Sequence, residues 1–315
     1  MTAIIILNWN GADDTLACLE SLANAEGDFR AYVVDNGSSD DSILRIKSWI
    51  ETHPTFDACM IPLDKNYGFA CGNNKGIAVA RKDNPDYYLL LNNDTEVAPE
   101  FLVRLQEFAN VHPEYKVLTP KINYFFDKHK IWNCGGRLFF GFRKYFYAGS
   151  YDSEVKENGY INISFVTGCA LFFSQEMLGG EDGIFTERFF FGEEDFDFSM
   201  RMKKNRQKMA CVLNALIYHK VGASINRVLY APKIYLYYLN RFINIRLNFG
   251  KIKYLFWTML NIPLLMYYFH KSTGSAKLTY KLVRNLLKDA RRKDRVTYDD
   301  FKNLLLEKSY FDFEI

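Results

Sequence analysis

The side chains of this sequence with the means to do chemistry stand at the ends of regular elements. Tyr87-Tyr88-Leu89-Leu90-Leu91 runs without a charge and gives way to Asn92-Asn93-Asp94-Thr95-Glu96. An uncharged run of that length reads as a strand buried on both faces of a parallel sheet. Open α/β sheets place their ligands at the carboxyl ends of such strands, so Asp94 is a carboxylate delivered to the rim of a crevice. The same residues also read as a strand-end turn with an Asx cap. A second acidic cluster, Glu193-Glu194-Asp195-Phe196-Asp197, reads as the opening turn of a helix, with Asp197 and Arg201 spaced as an i,i+4 pair. Acids gather at helix starts for dipole reasons alone. His219 ends the apolar strand Ala215-Leu216-Ile217-Tyr218, a place where a single histidine is ordinarily structural.

Elements able to hold these groups in register lie on either side. Ala3–Leu7 is a short buried strand closed by Asn8-Trp9-Asn10-Gly11, and Asp13 or Asp14 caps a helix reaching Leu22. Ala31–Val34 is a second strand, ended by the turn formers Asp35-Asn36-Gly37-Ser38-Ser39-Asp40. A helix from about Ser42 to Glu51 and a strand from Phe56 to Leu63 follow. Asn66-Tyr67-Gly68-Phe69-Ala70-Cys71-Gly72-Asn73-Asn74 leads into a helix to Arg81, then comes the Tyr87 strand, and Pro99 starts a helix from Glu100 to Val111. This alternation predicts an α/β fold with a doubly wound, mostly parallel sheet. Right-handed crossovers carry the polar ends Asn8–Asn10, Asp35–Ser38 and Asn92–Asp94 to one side, where together they suggest a nucleotide crevice. Neither GxGxxG nor GxxxxGK followed by Ser or Thr occurs, which disfavours a dinucleotide fold or a P-loop.

Beyond Ile122 the alternation breaks. Residues 123–163, rich in aromatics and glycine, read as hairpins or a long insertion, and Phe165–Ser174 as a strand interrupted at Gly168. Residues 231–250 form a long aromatic helix. The most apolar window, Tyr254–Phe269, is short for a span and contains Asn261 and Pro263. Lys277, Lys281, Arg284, Lys288 and Arg291 then recur at helical spacing, with Leu278, Leu282, Leu286 and Leu287 on another face. A basic amphipathic helix beside an aromatic patch suits the interface of an anionic membrane. The plain alternative is a solvated helix packed on the domain.

Composition agrees with one large domain or two modest ones among 315 residues. The net charge of +3 is uneven: residues 251–315 hold 13 Lys and Arg against 7 Asp and Glu, an excess of six, which leaves −3 for the first 250. With the basic surplus confined to a tail beside apolar residues, no nucleic-acid surface is expected. Cys18, Cys59, Cys71, Cys134, Cys169 and Cys211 form no CxxC pair, which suits a reducing cytosol rather than a disulfide framework or a zinc ribbon. Ala3–Leu7 is too short for a signal peptide. The expected location is cytoplasmic, peripheral on the inner face of the cell membrane.

At this point the chain resembles the inverting family 2 glycosyltransferases of GT-A fold, and within them a bacterial rhamnosyltransferase-like branch. The resemblance covers about residues 2–248. It is carried by Asn8-Trp9-Asn10, Val34-Asp35-Asn36-Gly37-Ser38-Ser39-Asp40, the Asn66–Ile77 glycine-asparagine stretch and Leu89–Thr95. It continues through Gly168-Cys169-Ala170, Phe190–Asp197, His219 with Gly222 and Ser224, and Asn240-Arg241. It implies a catalytic domain over residues 1–230, with a nucleotide-sugar half (1–122) and an acceptor half (123–230), followed by a helical extension over 231–315.

The resemblance also implies roles. Asp35 would bond the nucleobase, with Trp9 or Asn8 lining its site and Asn10 and Asn66 nearby. Asn73 and Asn74 would border the nucleotide pocket. Asn92-Asn93-Asp94 replaces the family's DxD motif. Asp94 would be the main ligand of Mn²⁺ or Mg²⁺ and His219 a second, the mixed O and N donors suiting Mn²⁺ slightly better. Asp195 would be the base, kept ionised by the helix start, with Glu194 as fallback. The Gly179–Phe191 loop would close over the donor. The implied reaction moves a sugar from a nucleoside diphosphate, dTDP-rhamnose or a UDP-sugar, to a hydroxyl of a saccharide or lipid-linked saccharide in bacterial cell-envelope polysaccharide synthesis. Two alternatives stay open: a sugar-nucleotide pyrophosphorylase, and a non-catalytic binding protein with a decayed site.

Overall fold

The computed structural model describes residues 1–221 and 231–305. Gly222 and Ser224 of the sequence pattern lie outside the described residues. The first half alternates as expected: β1 (Thr2–Asn8), α1 (Ala12–Ala23), β2 (Phe29–Asp35), α2 (Ser42–Thr52), β3 (Ala58–Pro62), α3 (Phe69–Ala80), β4 (Tyr87–Asn92), β5 (Thr95–Val97) and α4 (Phe101–Val111). Then come β6 (Tyr115–Tyr124), β7 (Ile131–Asn133), β8 (Gly136–Phe139), β9 (Phe142–Tyr145), β10 (Tyr160–Ile163) and β11 (Ala170–Ser174). α5 (Glu194–Lys204), β12 (Lys208–His219) and the helices α6 (Ala231–Asn248), α7 (Lys251–Thr273), α8 (Ala276–Arg292) and α9 (Tyr298–Leu305) complete the order.

Ten strands form one sheet in the order β10-β12-β6-β11-β4-β1-β2-β3, with β5 added to β12 and β7 to β6. β4, β1, β2 and β3 run parallel, as do β6 and β12, while β11 runs antiparallel between β4 and β6. The sheet is thus mixed but mostly parallel, and the later strands join the same sheet as the first four.

Strand residues alternate between two cores. Ile4, Ile6, Val33, Leu89 and Leu91 pack with α1, α2 and α4, whereas Ala3, Ile5, Tyr32, Val34, Tyr88 and Leu90 pack with α3 and α5. Burial on both faces is why these strands read as unbroken apolar runs rather than alternating ones. A third core joins α6–α9 to Leu138, Phe165, Phe189 and Phe196 of the sheet-bearing part. Here one expectation changes. The leucine face of α8 is spent on internal packing, through Leu282, Val283 and Leu286, and the exposed apolar stripe belongs to α7.

The segment expected to close over a ligand is anchored in this structure. Asn74 holds Ile184 and Phe185, and Phe190 meets Tyr298 edge-on and Phe301 at a tilt while its carbonyl accepts from the Phe69 N–H. Gly68 makes that last contact feasible: its φ is +84°, and a Cβ there would stand 2.2 Å from the Phe190 oxygen. Gly68→Ala should therefore lower stability by about 1–3 kcal/mol in urea denaturation, from strain and overlap together.

Candidate active site

Three strand ends meet at one edge because β1 lies between β2 and β4, with Asn8 in register with Asp35 and Leu7 with Asn92. Their polar side chains form one hydrogen-bonded lattice. Asn8 Nδ2 donates to Asp35 Oδ2 (2.7 Å), and Ser38 donates to the same carboxylate through both Oγ (2.6 Å) and its backbone N–H (2.9 Å). Thr15 Oγ1 donates to Asn8 Oδ1 (2.8 Å) and accepts from Asn93 Nδ2 (3.0 Å). Asn10, at φ +50°, accepts from the Ser39 N–H at 2.8 Å.

This lattice redistributes the expected roles. Asp35 is fully buried with both oxygens engaged, and in this structure it fixes the turn. Asn66 Oδ1 accepts from Asn36 and the Gly68 N–H and likewise supports a turn. Asn73 and Asn74 are buried, Asn73 bonded to the Phe69 carbonyl and Asn74 to residues 184–187. Asn74 does line a depression of about 400 Å³ with Lys75, Asp182 and Glu187, but that lining includes none of Asp94, Asp195 and His219. The strand ends leave facing outward the Trp9 ring, 53% exposed, the exposed Asn10 and the half-buried Asn92, Asn93 and Asp94.

Asp94 and His219 are brought together by β5, a three-residue strand that the sequence did not reveal. β5 pairs antiparallel with the end of β12, Thr95 opposite His219, and the Lys220 N–H donates to the Asp94 carbonyl at 3.0 Å. Nε2 of His219 then lies 3.1 and 3.2 Å from the two Asp94 oxygens. Trp132 meets the imidazole edge-on, and its Nδ1 is buried without a partner. Burial works against charge on this ring, while Cys169 and Asp94 favour it. Since burial also holds the Cys169 thiol protonated, Asp94 is the partner that keeps the His219 pKa above its ordinary value.

The acids of the second cluster divide by environment. Gly192 and Glu193 both have positive φ, +87° and +75°, and turn the chain sharply into α5. Buried Arg241 of α6 holds the Glu193 carboxylate at both oxygens and lies 3.7 Å over the Phe196 ring, while Asn240 donates to the Phe191 carbonyl at 3.0 Å. Asp197 pairs with Arg201 at 2.9 Å, as its spacing predicted. Asp195 is half-buried, with Arg143 of β9 3.8 Å away. Burial pushes its carboxyl up, Arg143 pulls it back and Glu193 pushes it up again, and the net direction is upward. Burial thus outweighs the helix start that was expected to hold it low.

Glu194 is buried with Oε2 unpartnered, and burial and then Asp195 push it up to about 8. It carries its proton at neutral pH and is not a ready base there. The folded state binds this proton more tightly than the unfolded chain, so Glu194 makes stability fall as pH rises from the ordinary carboxyl range to about 8. Glu194→Gln should flatten that slope, which is at most about 1.4 kcal/mol per pH unit, when denaturation midpoints are compared across the window.

The two clusters border one short turn. A Cβ on Gly168 would stand 4.0 Å from the Asp195 Cβ, and the next residue, Cys169, faces His219 and Asp94 and bonds the Asn92 N–H through its carbonyl (2.9 Å). Carboxylates from the β4–β5 turn and from α5 and a histidine from β12 therefore stand at the same end of the sheet. Sequence reasoning missed Thr15 and Arg143, read Glu193 only as one acid of a helix start, and quoted Arg241 without a role.

Residues 3–179 match the family description Glycosyl transferase family 2, and the chain belongs to that family. Membership of that family weighs against the pyrophosphorylase reading. Among solved structures it is similar to the mannosyltransferase PcManGT from Pyrobaculum calidifontis in complex with GDP-Man and Mn²⁺, with a TM-score of 0.58 and 14% identity over 99% of this chain and 88% of that one. It is also similar to S. aureus TarS, with a TM-score of 0.54 and 18% identity over 100% of this chain. The chain spans 57% of the length of that TarS structure. The TarS 1–349 structure in complex with UDP-GlcNAc matches with a TM-score of 0.54 and 16% identity, covering 98% and 91% of the two chains. At these identities the likeness establishes the fold, GT-A-like. No curated protein matches the sequence.

Proposed function

We propose that this glycosyltransferase moves a sugar from a nucleoside-diphosphate donor to an acceptor hydroxyl with inversion at the anomeric carbon. The observation that carries the reading is the approach of Asp195 to one side of the Gly168–Cys169 turn and of Asp94 and His219 to the other. Inversion requires a base on the face of the sugar opposite the leaving nucleotide. Asp195, with its raised proton affinity, would take the acceptor hydroxyl's proton as the oxygen attacks. Arg143 would hold that carboxylate in place, and Trp9 would offer its exposed ring to the base of the donor. Residues 1–122 would then serve the donor and 123–230 the acceptor.

A divalent cation fits the Asp94–His219 pair. Two ligands at a right angle around an ion with bonds of about 2.1 Å lie about 3.0 Å apart. The Nε2-to-oxygen distances of 3.1 and 3.2 Å match that spacing, and the carboxylate and imidazole donors suit Mn²⁺ or Mg²⁺. The described residues hold no group of three or more such ligands, so diphosphate oxygens and water would complete the shell. Bound there, a cation supplies charge to stabilise the departing diphosphate.

The resemblance to the rhamnosyltransferase-like branch supports dTDP-rhamnose or a UDP-sugar as donor and a saccharide or lipid-linked saccharide of the bacterial cell envelope as acceptor. Donor hydrolysis followed with and without EDTA tests the metal reading. Hydrolysis should cease with EDTA and return with Mn²⁺, and Asp94→Ala should lose at least about 10²-fold. A rate indifferent to both treatments would instead favour a site that does not use a cation. No turnover of any sugar nucleotide would favour the decayed-site reading.

A further inference from the structure

We propose that the outward face of α7, together with the tip of the β8–β9 hairpin, docks in the interface of an anionic lipid bilayer. α7 turns Trp257, Asn261, Leu265 and Phe269 inward. Its opposite side exposes Ile252, Leu255, Phe256, Met259, Leu260, Leu264 and Tyr267, a stripe at helical spacing, with Ile252 86% and Met259 62% exposed. A continuous apolar stripe on the surface marks a docking face.

Charge selects the occupant. No Asp or Glu occurs anywhere in α7, exposed Lys251 and Lys253 open it, and His270 and Lys271 end it. Through Gly274 and Ser275 it turns into α8, which exposes Lys277, Arg284, Lys288 and Arg291. A second copy of this chain would bring like charges together, whereas an anionic headgroup layer would neutralise them. Among the described residues no helix is long and apolar enough to cross a membrane, so α7 would lie in the plane of the interface.

The stripe is continuous with the hairpin. Phe140 packs on Phe256 at 5.7 Å between ring centres, Phe142 lies 6.1 Å from Trp257, and Phe139 is 72% exposed. Arg143, one residue past Phe142, faces Asp195. The docked surface thus ends within one short strand of the proposed base, where a lipid-linked hydroxyl would arrive. That placement of the acceptor rests on the proposed transferase reaction; the docking itself does not.

The test is co-sedimentation of the full chain with phosphatidylcholine vesicles, with and without phosphatidylglycerol. Binding is expected to be at least about tenfold tighter with the anionic lipid and to weaken in high salt. Ile252→Asp with Met259→Asp should lose at least about tenfold in vesicle binding. Thermal midpoint and vesicle-free donor hydrolysis should stay unchanged, since both side chains are exposed. Absence of binding, equal binding by the variant, or a concentration-dependent dimer abolished by the two substitutions would overturn the proposal. An inactive protein that still binds anionic vesicles would overturn the transferase reading and leave the docking intact.

Discussion

Asp195→Asn is expected to lower sugar transfer by about 10²–10⁴-fold, the range over which a positioned general base accelerates proton transfer. The substitution keeps the shape of the side chain. Its only charged neighbour within ion-pair distance among the described residues is Arg143, at 3.8 Å, so the fold has little reason to respond. Nucleotide affinity should be preserved because the donor's diphosphate is assigned to the other side of the turn, at Asp94. In the unaltered enzyme transfer requires the ionised carboxylate, so activity should fall as pH drops through a midpoint above the ordinary aspartate value, the direction that burial dictates. Arg143→Leu removes the charge that holds this value down and should move the acidic limb to higher pH. Full transfer by Asp195→Asn in a product assay would remove Asp195 from the role of base.

Arg241→Leu should cost about 3–5 kcal/mol of stability, the usual consequence of leaving a buried carboxylate without its partner. Glu193 and Arg241 are both buried, and Glu193 holds a left-handed backbone at φ +75° that costs about 1–3 kcal/mol and persists only where its surroundings enforce it. The bidentate pairing and the stacking of the guanidinium on Phe196 are that enforcement. Replacing Glu193 by Leu as well should return part of the loss, because the uncompensated charge disappears. Denaturant midpoints of the single and double variants measure this. A single-variant loss under about 1 kcal/mol would mean that the pair does not hold the entry to α5. The arrangement explains why a helix outside the sheet matters to chemistry within it: α6 fixes the turn that aims Asp195.

Three of the four parallel strands were legible because burial on both faces leaves an unmistakable apolar run, as at Tyr88–Leu91, while the half-buried edge strand β3 followed from the alternation. The motif order located Asp94, Asp195 and His219, but nothing local to His219 distinguishes it from a structural histidine. Its meeting with Asp94 depends on β5, three residues whose pairing lies more than a hundred positions away. Thr15 escaped notice for the same reason, since its hydroxyl acts on partners from other strand ends, whereas Ser38 read only as a turn former. Asp35 and Asn74 were legible as important polar residues, yet burial, which residue type does not encode, turned them inward. Residues 123–163 gave no usable period because they fold into very short strands, and Arg143 is carried there. In the C-terminal helices the sequence showed both apolar faces but not which one the domain would cover.

The most direct test of the site is a crystal structure with Mn²⁺ and a nucleoside diphosphate, with the cation located by its anomalous signal. The account predicts one cation bonded by an Asp94 oxygen and His219 Nε2, with the terminal phosphate bonded to that cation on the Asp94 side of the Gly168–Cys169 turn. A cation and nucleotide bound elsewhere, with Asp94 and His219 still bonded only to each other, would contradict it.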